Sequence, residues 1–291
     1  MRKPFIHIVF ISFFSAIVFL SACSQQENKF TSPAGYNLND PEKFIMPAVL
    51  HEISGIAFFN GNSDTLYAEQ DEEGKIFYLR PGDKKAAHTK FGKNRDYEDI
   101  AFCNNYIIML RSDGTLYTFS FSEVGKPEAG NVKEFQNLIP NGEYEGLYAD
   151  NATNHLFVLC KNCNGVDASK SGVGYVLQLA ADGTVTAASD FRFNVKDIEK
   201  LAGDKKIIFH PSALALNPAI NEWYILSSVN KLLIIADKNW GIKQVYHLDP
   251  SKYIQPEGIA FDKDANLYIS NEGGETQSGN VLKIKYDANK K

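Results

Sequence analysis

The stretch Glu143-Tyr144-Glu145-Gly146-Leu147-Tyr148 recurs with variations along the chain. Each copy has a short polar residue or a glutamate, then a small residue or an aspartate, then an apolar run. The other copies are Ile53–Phe58, Tyr97–Phe102, Pro211–Leu216 and Pro256–Phe261. Counted from Ser54, Glu98, Glu145, Ser212 and Glu257, the copies lie 44, 47, 67 and 45 residues apart. A period of about 40 to 50 residues that contains only strand-like segments predicts the blades of a β-propeller.

Short β-rich runs separated by turn residues fill the intervals between the copies, four runs to each of the first four blades. The last blade has only three: Gly258–Phe261, Asn266–Ser270 and Val281–Tyr286. The unassigned extended segment Tyr36–Met46 is the natural fourth strand, because pairing it there closes the ring and covers an exposed edge. The sequence therefore predicts an all-β fold, a five-bladed propeller closed by an N-terminal strand, with six blades as the alternative.

The interval of 67 residues needs a separate explanation. Within Asn194–Asp204, the segment Val195–Leu201 carries apolar residues at helical spacing, and Gly203 follows as a helix end. We expect one short helix inserted between blades three and four, and an expanded loop, Cys163–Gly172, inside blade three. A degenerate extra blade is the competing explanation, but turn signals for one are missing.

The N-terminus has the form of a secretory signal peptide. Arg2 and Lys3 precede an apolar run, Phe5–Leu20, and Leu20-Ser21-Ala22-Cys23 ends it. This ending resembles the lipobox of bacterial lipoproteins, which implies that Cys23 is lipidated, with palmitate among its acyl chains, and becomes the N-terminus. An ordinary signal peptide or a single membrane anchor is the alternative. We expect a signal peptide over 1–22, a lipidated cysteine and tether over 23–35, and one propeller domain over 36–291.

Ser24 follows the cysteine where an aspartate would favour inner-membrane retention. The expected location is therefore the cell envelope, anchored by lipid and in the outer membrane. The whole chain has 30 basic and 35 acidic residues, and loss of Arg2 and Lys3 would leave a formal charge of −7. With this charge and no long basic run, the sequence does not predict nucleic-acid binding.

Three cysteines remain after Cys23. Cys160 and Cys163 are separated by two residues, a spacing that suits a tight disulfide, half of a metal site or two free thiols. Cys103 ends an apolar strand and is expected to be a small core residue.

The repeated polar position should lie at one mouth of the central channel, which places Glu98, Glu145 and Glu257 near one axis together with Ser54 and Ser212. Three carboxylates at close range repel each other and need compensation. A hard cation such as Ca²⁺ could supply it, with glutamate, serine and water oxygens as ligands. Alternatively, Arg111 and Lys161 could pair with Glu98 and Glu145. These two cations lie near the ends of the second strands of blades two and three, in places resembling those of Asp71 and Glu272 in blades one and five.

In its order of motifs the chain resembles the SdiA-regulated family of bacterial envelope β-propellers. The motifs that carry the resemblance are Ile53-Ser54-Gly55, Asp96-Tyr97-Glu98, Tyr144-Glu145-Gly146, Pro211-Ser212-Ala213, Pro256-Glu257-Gly258 and Asn266–Glu272. The resemblance covers about Tyr36 to Tyr286, and Ala213 departs from the expected glycine. It implies an envelope propeller but supplies no reaction. A broader likeness to phytase-like and esterase-like propellers implies calcium binding.

Three hypotheses of function follow. The first is a binding module that presents the channel mouth, with rim aromatics such as Tyr97 and Tyr144, to an unknown envelope protein or small molecule. The second is a calcium-dependent phosphoester or ester hydrolase that uses the glutamates. The third is a structural ring without metal. The sequence contains no Gly-x-Ser-x-Gly elbow, phosphate-binding loop or His-Glu-x-x-His motif.

Overall fold

Five antiparallel four-stranded sheets make up most of the described part of the protein. A computed structural model describes residues 30–290, so the predicted signal peptide and Cys23 lie outside the described residues. The predicted five-bladed propeller is confirmed, and the described chain has no sixth blade.

The strands are short, and most match the predicted runs to within a few residues. Before the helix they are β1 (Glu42–Ile45), β2 (Ile53–Ala57), β3 (Leu66–Gln70), β4 (Lys75–Leu79), β5 (Ala87–Lys90), β6 (Tyr97–Cys103), β7 (Tyr106–Arg111), β8 (Leu116–Ser120), β9 (Lys133–Phe135), β10 (Gly142–Asp150), β11 (His155–Cys163), β12 (Ser171–Leu179) and β13 (Val185–Asn194). After the helix α1 (Val195–Ala202) they are β14 (Ala213–Leu216), β15 (Trp223–Ser227), β16 (Leu232–Ala236), β17 (Ile242–His247), β18 (Pro256–Phe261), β19 (Leu267–Asn271) and β20 (Asn280–Ile284). Single 3₁₀ turns occupy Ala48–Leu50, Phe59–Gly61 and Phe121–Glu123.

Blades one to four follow the chain as β2–β5, β6–β9, β10–β13 and β14–β17, whereas blade five has the order β1-β20-β19-β18. The N-terminal strand β1 pairs antiparallel with β20, from Glu42 opposite Lys283 to Ile45 opposite Asn280. This confirms that an N-terminal strand closes the ring. Contacts with the domain begin before Tyr36, because the Gly35 amide donates to the Lys290 carbonyl at 2.8 Å.

The helix predicted in the long interval is present as α1. Asn194 caps its start by accepting a hydrogen bond from the Lys196 amide, and Gly203 ends it at φ 77°, a conformation that suits glycine. Blade three also lengthens the interval, because its four strands have nine or ten residues each. The predicted Cys163–Gly172 loop is present between β11 and β12, and only Cys163, Ser171 and Gly172 belong to the flanking strands. Among residues 30–290, no helix is long and apolar enough to cross a membrane.

The hydrophobic core is divided into five clusters, one between each pair of neighbouring blades. The inner strands β2, β6, β10, β14 and β18 each contribute one branched residue near the axis, and all five are at least 94% buried: Ile56, Ile100, Leu147, Leu214 and Ile259. Burial of one such side chain stabilises the fold by about 1.5–3 kcal/mol. This packing fixes the positions at which the inner strands begin and end around the channel.

Candidate functional site

A β-bulge at the start of the inner strand displaces the repeated polar residue from the hydrogen-bonded ladder. In blade three, Tyr144 lies opposite Cys160 and Gly146 opposite Leu159, so Glu145 has no cross-strand partner. Glu98 and Glu257 are skipped in the same way in blades two and five. A bulge re-aims the extra side chain, which here places the glutamates at the end of the channel where the inner strands begin.

Six carboxyl groups form a continuous electrostatic ring at this end, which we call the acidic mouth. Its members come from four blades or the segments before them, and each interacts unfavourably with neighbours in the set: Asp71, Asp96, Glu98, Glu145, Glu257 and Glu272. The three predicted metal-ligand glutamates and both predicted second-strand acids thus lie at the same end of the channel, where neighbouring pairs interact.

Burial is the main cause of the altered acidities in the acidic mouth, and like charge adds to it. Burial, with Glu145 and Asp96 nearby, raises the pKa of Glu98 to about 10. Burial and the Glu257 carboxylate raise the pKa of Glu145 to about 7, although Lys161 opposes the shift. The pKa of Glu272 is raised to about 7 and that of Asp71 to about 6, in both cases mainly by burial.

Lys161 is the cation that the fold places against these carboxylates. Its ammonium group donates a hydrogen bond to Glu145 Oε1, and its charge also lowers the pKa of Glu98 and Glu257. Lys161 is itself skipped in the ladder, between the Glu143–Asn162 and Tyr144–Cys160 pairs. A disulfide joins Cys160 to Cys163 across this bulge, so the strand that carries the lysine is covalently pinned.

Arg111 does not pair with Glu98, which corrects the expected symmetry with Lys161. Its guanidinium group makes two hydrogen bonds to Asp113, at 2.9 and 2.5 Å, and one to the Tyr117 hydroxyl at 2.8 Å. Asp113 lies in the turn that follows β7, and its pairing with Arg111 keeps the guanidinium group away from Glu98.

Ser54 and Ser212 hold neighbouring blades together. The Ser54 hydroxyl donates to the Glu98 carbonyl at 2.9 Å, and the Ser212 hydroxyl donates to the Pro256 carbonyl at 2.8 Å. Both side chains are buried, and each hydroxyl group links two neighbouring inner strands through its hydrogen bond. The sequence suggested that these serines act as ligands at the mouth. In the structure, their hydroxyl groups instead donate to backbone carbonyls of the neighbouring blade.

Two buried acids below the mouth were not predicted from the sequence. The Glu69 side chain accepts a hydrogen bond from the Gly55 amide at 2.6 Å, but its Oε2 has no partner within residues 30–290. Asp99 accepts hydrogen bonds from the amides of Ile100 and Leu147. Burial raises the pKa of both carboxyl groups well above the usual range. The sequence feature that could have indicated them is an acidic residue within an otherwise apolar strand.

One side of the mouth also carries basic groups. A pocket of about 260 Å³ is lined by Glu145 and Glu257 together with Lys161, Lys231 and His210. The Lys231 ammonium donates to the Ile254 carbonyl, and burial lowers its pKa. The two lysines lie at blades three and four, whereas Asp71, Asp96 and Glu272 belong to the remaining blades.

The prediction of an aromatic rim at the channel mouth is wrong. Tyr97 and Tyr144 are both 0% exposed, and their hydroxyl groups donate to the carbonyls of Lys93 and Pro140. Cys103 is a buried free thiol, in agreement with its expected place in the core.

The acidic mouth contains the carboxylate oxygens that a hard cation prefers, but in the described arrangement they are not grouped into a metal site. Among residues 30–290, no three or more His, Cys, Asp and Glu side chains are grouped so that they could hold a metal ion. Lys161 stands against Glu145, where a cation would otherwise be required. Calcium binding therefore needs the glutamates to turn towards a common point and stays a prediction.

A family model described as SdiA-regulated matches residues 32–274. The chain belongs to the SdiA-regulated family. A comparison with curated proteins finds no match. The matched span of this SdiA-regulated protein includes all five inner strands and every carboxylate of the acidic mouth.

Solved structures similar to this SdiA-regulated protein are propellers of distant sequence. The glutaminyl cyclase of Myxococcus xanthus has a TM-score of 0.54 at 15% identity, covering 84% of this chain and 94% of its own. A luciferin-regenerating enzyme has a TM-score of 0.52 at 12% identity, covering 84% and 95%. A PQQ-bound aldose sugar dehydrogenase of Streptomyces coelicolor has a TM-score of 0.54 at 11% identity, covering 88% and 100%. At these identities the likeness shows the fold alone.

Proposed function

We propose that this protein is a lipid-anchored cell-envelope binding module whose acidic mouth recognises a positively charged ligand. The observation that carries the proposal is the crowding of Glu98, Glu145, Glu257 and Glu272 around the ammonium group of Lys161. A folded protein that keeps this many acids together, at raised pKa values, retains an unfavourable electrostatic energy. A cation that enters the mouth would remove it.

The ligand class follows from the mouth's charge. A divalent metal ion such as Ca²⁺ or an organic ammonium group would neutralise the excess of carboxylates. An envelope protein with an exposed basic side chain could present such a positively charged group. The mouth has a rim of charged and polar side chains, which suits orientation of a polar ligand. Lipidation at Cys23 would hold this mouth at a membrane surface, and incorporation of labelled palmitate would test the anchor.

Thermal unfolding of the protein tests the proposal. The midpoint is measured with EDTA, with Ca²⁺ and with the diamine putrescine, each at the same ionic strength. A ligand that binds only the folded state stabilises it by RT ln(1 + [L]/Kd), so a real site raises the midpoint by several degrees at about 100-fold excess over Kd. Glu98→Gln and Glu145→Gln should abolish the rise.

Glu128→Gln is the matched control, because Glu128 is an exposed glutamate whose ion pair with Lys90 lies on the outer surface. It should respond to the cations as the wild type does. Midpoints that are the same in all three solutions would contradict the proposal. A rise that persists in Glu145→Gln would move the site away from the acidic mouth.

A calcium-dependent phosphoester or ester hydrolase is the second candidate function. The observation that favours it is the raised pKa of Glu145 and Glu272, both to about 7, because carboxyl groups in this range can exchange protons near neutral pH. Metal-dependent turnover of a nitrophenyl ester or phosphate that is lost in Glu145→Gln would support it. Absence of turnover in a protein whose midpoint responds to cations would leave the binding function alone.

A further inference from the structure

The channel has a second opening of different chemistry. At the end opposite the acidic mouth lies a cavity of about 320 Å³, lined by the last residues of all five inner strands. Large apolar side chains dominate its wall: Phe58, Phe102, Tyr148, Leu216 and Phe261. We call this space the apolar cavity. Its volume falls at the lower end of the range of small-molecule sites.

The apolar cavity and the acidic mouth are separate. Phe102 lies four residues after Glu98 along β6, which corresponds to about 13 Å of extended strand. The buried ring of Ile56, Ile100, Leu147, Leu214 and Ile259 lies between the two ends and forms the floor of the cavity. A ligand in the apolar cavity therefore does not depend on the charges of the mouth.

The rim of the apolar cavity contains one acid and one base, and they differ in their partners. Asp262 is 2% exposed, and its carboxylate accepts hydrogen bonds from the Asn266 amide at 2.9 Å and the Asn266 side chain at 2.8 Å. The Ser63 and Tyr268 hydroxyl groups and the Asp264 amide also donate to it. With five donors, this carboxylate is used within the fold and is not available to a ligand.

Lys263 is the opposite case. Its backbone amide is fixed to the Gly61 carbonyl at 2.8 Å, which holds the residue at the rim. Its side chain is exposed, and across residues 30–290 its ammonium group has no hydrogen bond or ion pair. The apolar cavity thus offers an apolar wall with one unpaired positive charge at its edge.

We propose that the apolar cavity binds a small amphiphilic anion, with an aromatic or aliphatic body against the wall and a carboxylate or sulfonate group near Lys263. Removal of the apolar body from water drives binding, and the lysine selects the charge of the head group. The small residues on the inner strands, such as Ala149, leave the room that the ligand occupies.

Two fluorescent probes with the same aryl body test the proposal. 1-Anilinonaphthalene-8-sulfonate carries a sulfonate, and N-phenyl-1-naphthylamine does not. We expect saturable binding of one molecule of either probe per chain, tighter for the sulfonate and reversed by decanoate. Lys263→Gln should weaken binding of the sulfonate about three-fold, the effect of one exposed charge, and leave the neutral probe unchanged. Lys238→Gln, at an exposed lysine in the β16–β17 turn, should change neither.

Filling the apolar cavity provides the second test. Ala149→Trp and Leu216→Trp, at half-buried positions on its wall, should each weaken both probes more than ten-fold. Ala188→Trp, at an exposed position of β13, is the control, and circular dichroism checks that all variants fold. Lack of saturable binding, or wild-type binding by both folded tryptophan variants of the wall, would overturn the proposal. Equal affinity of wild type and Lys263→Gln for the sulfonate would overturn the preference for an anion.

Discussion

At the scale of single residues, the pair formed by Glu145 and Lys161 governs the acidic mouth. Both residues sit at bulges, Glu145 in β10 and Lys161 in β11, and neither has a cross-strand partner. Two bulges on facing strands therefore turn an acid and a base towards each other. The Glu145 side chain is 11% exposed and that of Lys161 34%, so the lysine retains partial contact with water.

Replacement of Lys161 by methionine should destabilise the protein at about pH 8 by about 1–2 kcal/mol. This is below the full cost of breaking a buried ion pair because the lysine is partly solvated. At about pH 5 the loss should shrink, since the raised pKa of Glu145 keeps that carboxyl group protonated in the folded state. Urea unfolding at the two pH values measures both effects.

Lys161→Arg serves as the matched control, because it keeps the charge at this position. It should retain most of the stability at both pH values. A loss in Lys161→Met that is the same at both pH values would mean that the aliphatic part of the side chain, and not its charge, matters here.

At the scale of elements, the N-terminal segment completes the propeller. The strand β1 covers the edge of β20, and Tyr36 packs into the cluster between blades four and five with its hydroxyl donating to the Ala265 carbonyl at 2.8 Å. The Tyr253 hydroxyl donates to the Leu38 carbonyl at 2.9 Å, so the segment is attached through side chains as well as through the ladder.

A chain that begins at Pro47 should lose this closure. It would expose the edge of β20 and the apolar surface that Tyr36, Leu38 and Met46 cover, which favours edge-to-edge association. We expect a fall of more than about 10 °C in the unfolding midpoint, since a loss of a few kcal/mol moves Tm by about 2–4 °C per kcal/mol in a domain of this size. Aggregation should accompany it. A chain that begins at Phe30 is the control, and equal midpoints would contradict the role of β1.

The elements could be predicted because their signals are local. The polar–small–apolar motif and the turn residues locate the strands, and the apolar spacing before Gly203 locates α1. Partners across the mouth depend on details that the repeat hides. Arg111 and Lys161 both lie at or near the ends of second strands, but only Arg111 has an aspartate two residues later with which it pairs. The Ser54 hydroxyl finds its acceptor on the next blade, a contact that only the closed ring creates.

At the scale of the whole molecule, the channel joins two ends of opposite chemistry. The inner strands of blades two, three and five each carry a glutamate of the acidic mouth near their start, and all five inner strands end at the apolar cavity. The acidic mouth should determine how stability depends on pH, because its members share one sign of charge. Exposed acids in turns act in the opposite direction: hydrogen bonds lower the pKa of Asp167 and Asp182 to about 2.

The stability of the protein should therefore pass through a maximum near about pH 4. Glu145 and Glu272 have pKa values of about 7 in the folded state against 4.5 as the ordinary value, and Asp71 has about 6 against 3.8. Between these limits the folded state binds more protons than the unfolded state, so the free energy of unfolding falls as the pH rises through the folded values. Below about pH 4 the unfolded chain binds protons at the turn acids before the folded state does, so the stability that these acids contribute is lost as the pH falls towards about 2.

Urea unfolding between about pH 3 and pH 9 measures this profile. We expect a decline of several kcal/mol from about pH 5 to about pH 8, since one pKa unit corresponds to about 1.4 kcal/mol and the raised pKa values of Glu145 and Glu272 extend across this range. The double variant Glu98→Gln/Glu145→Gln should flatten the alkaline side without changing the acid side, whereas Glu128→Gln should leave both unchanged. Stability that rises from about pH 5 to about pH 8 would contradict the profile, because it would mean that the carboxylates of the mouth are ionised and already compensated by cations.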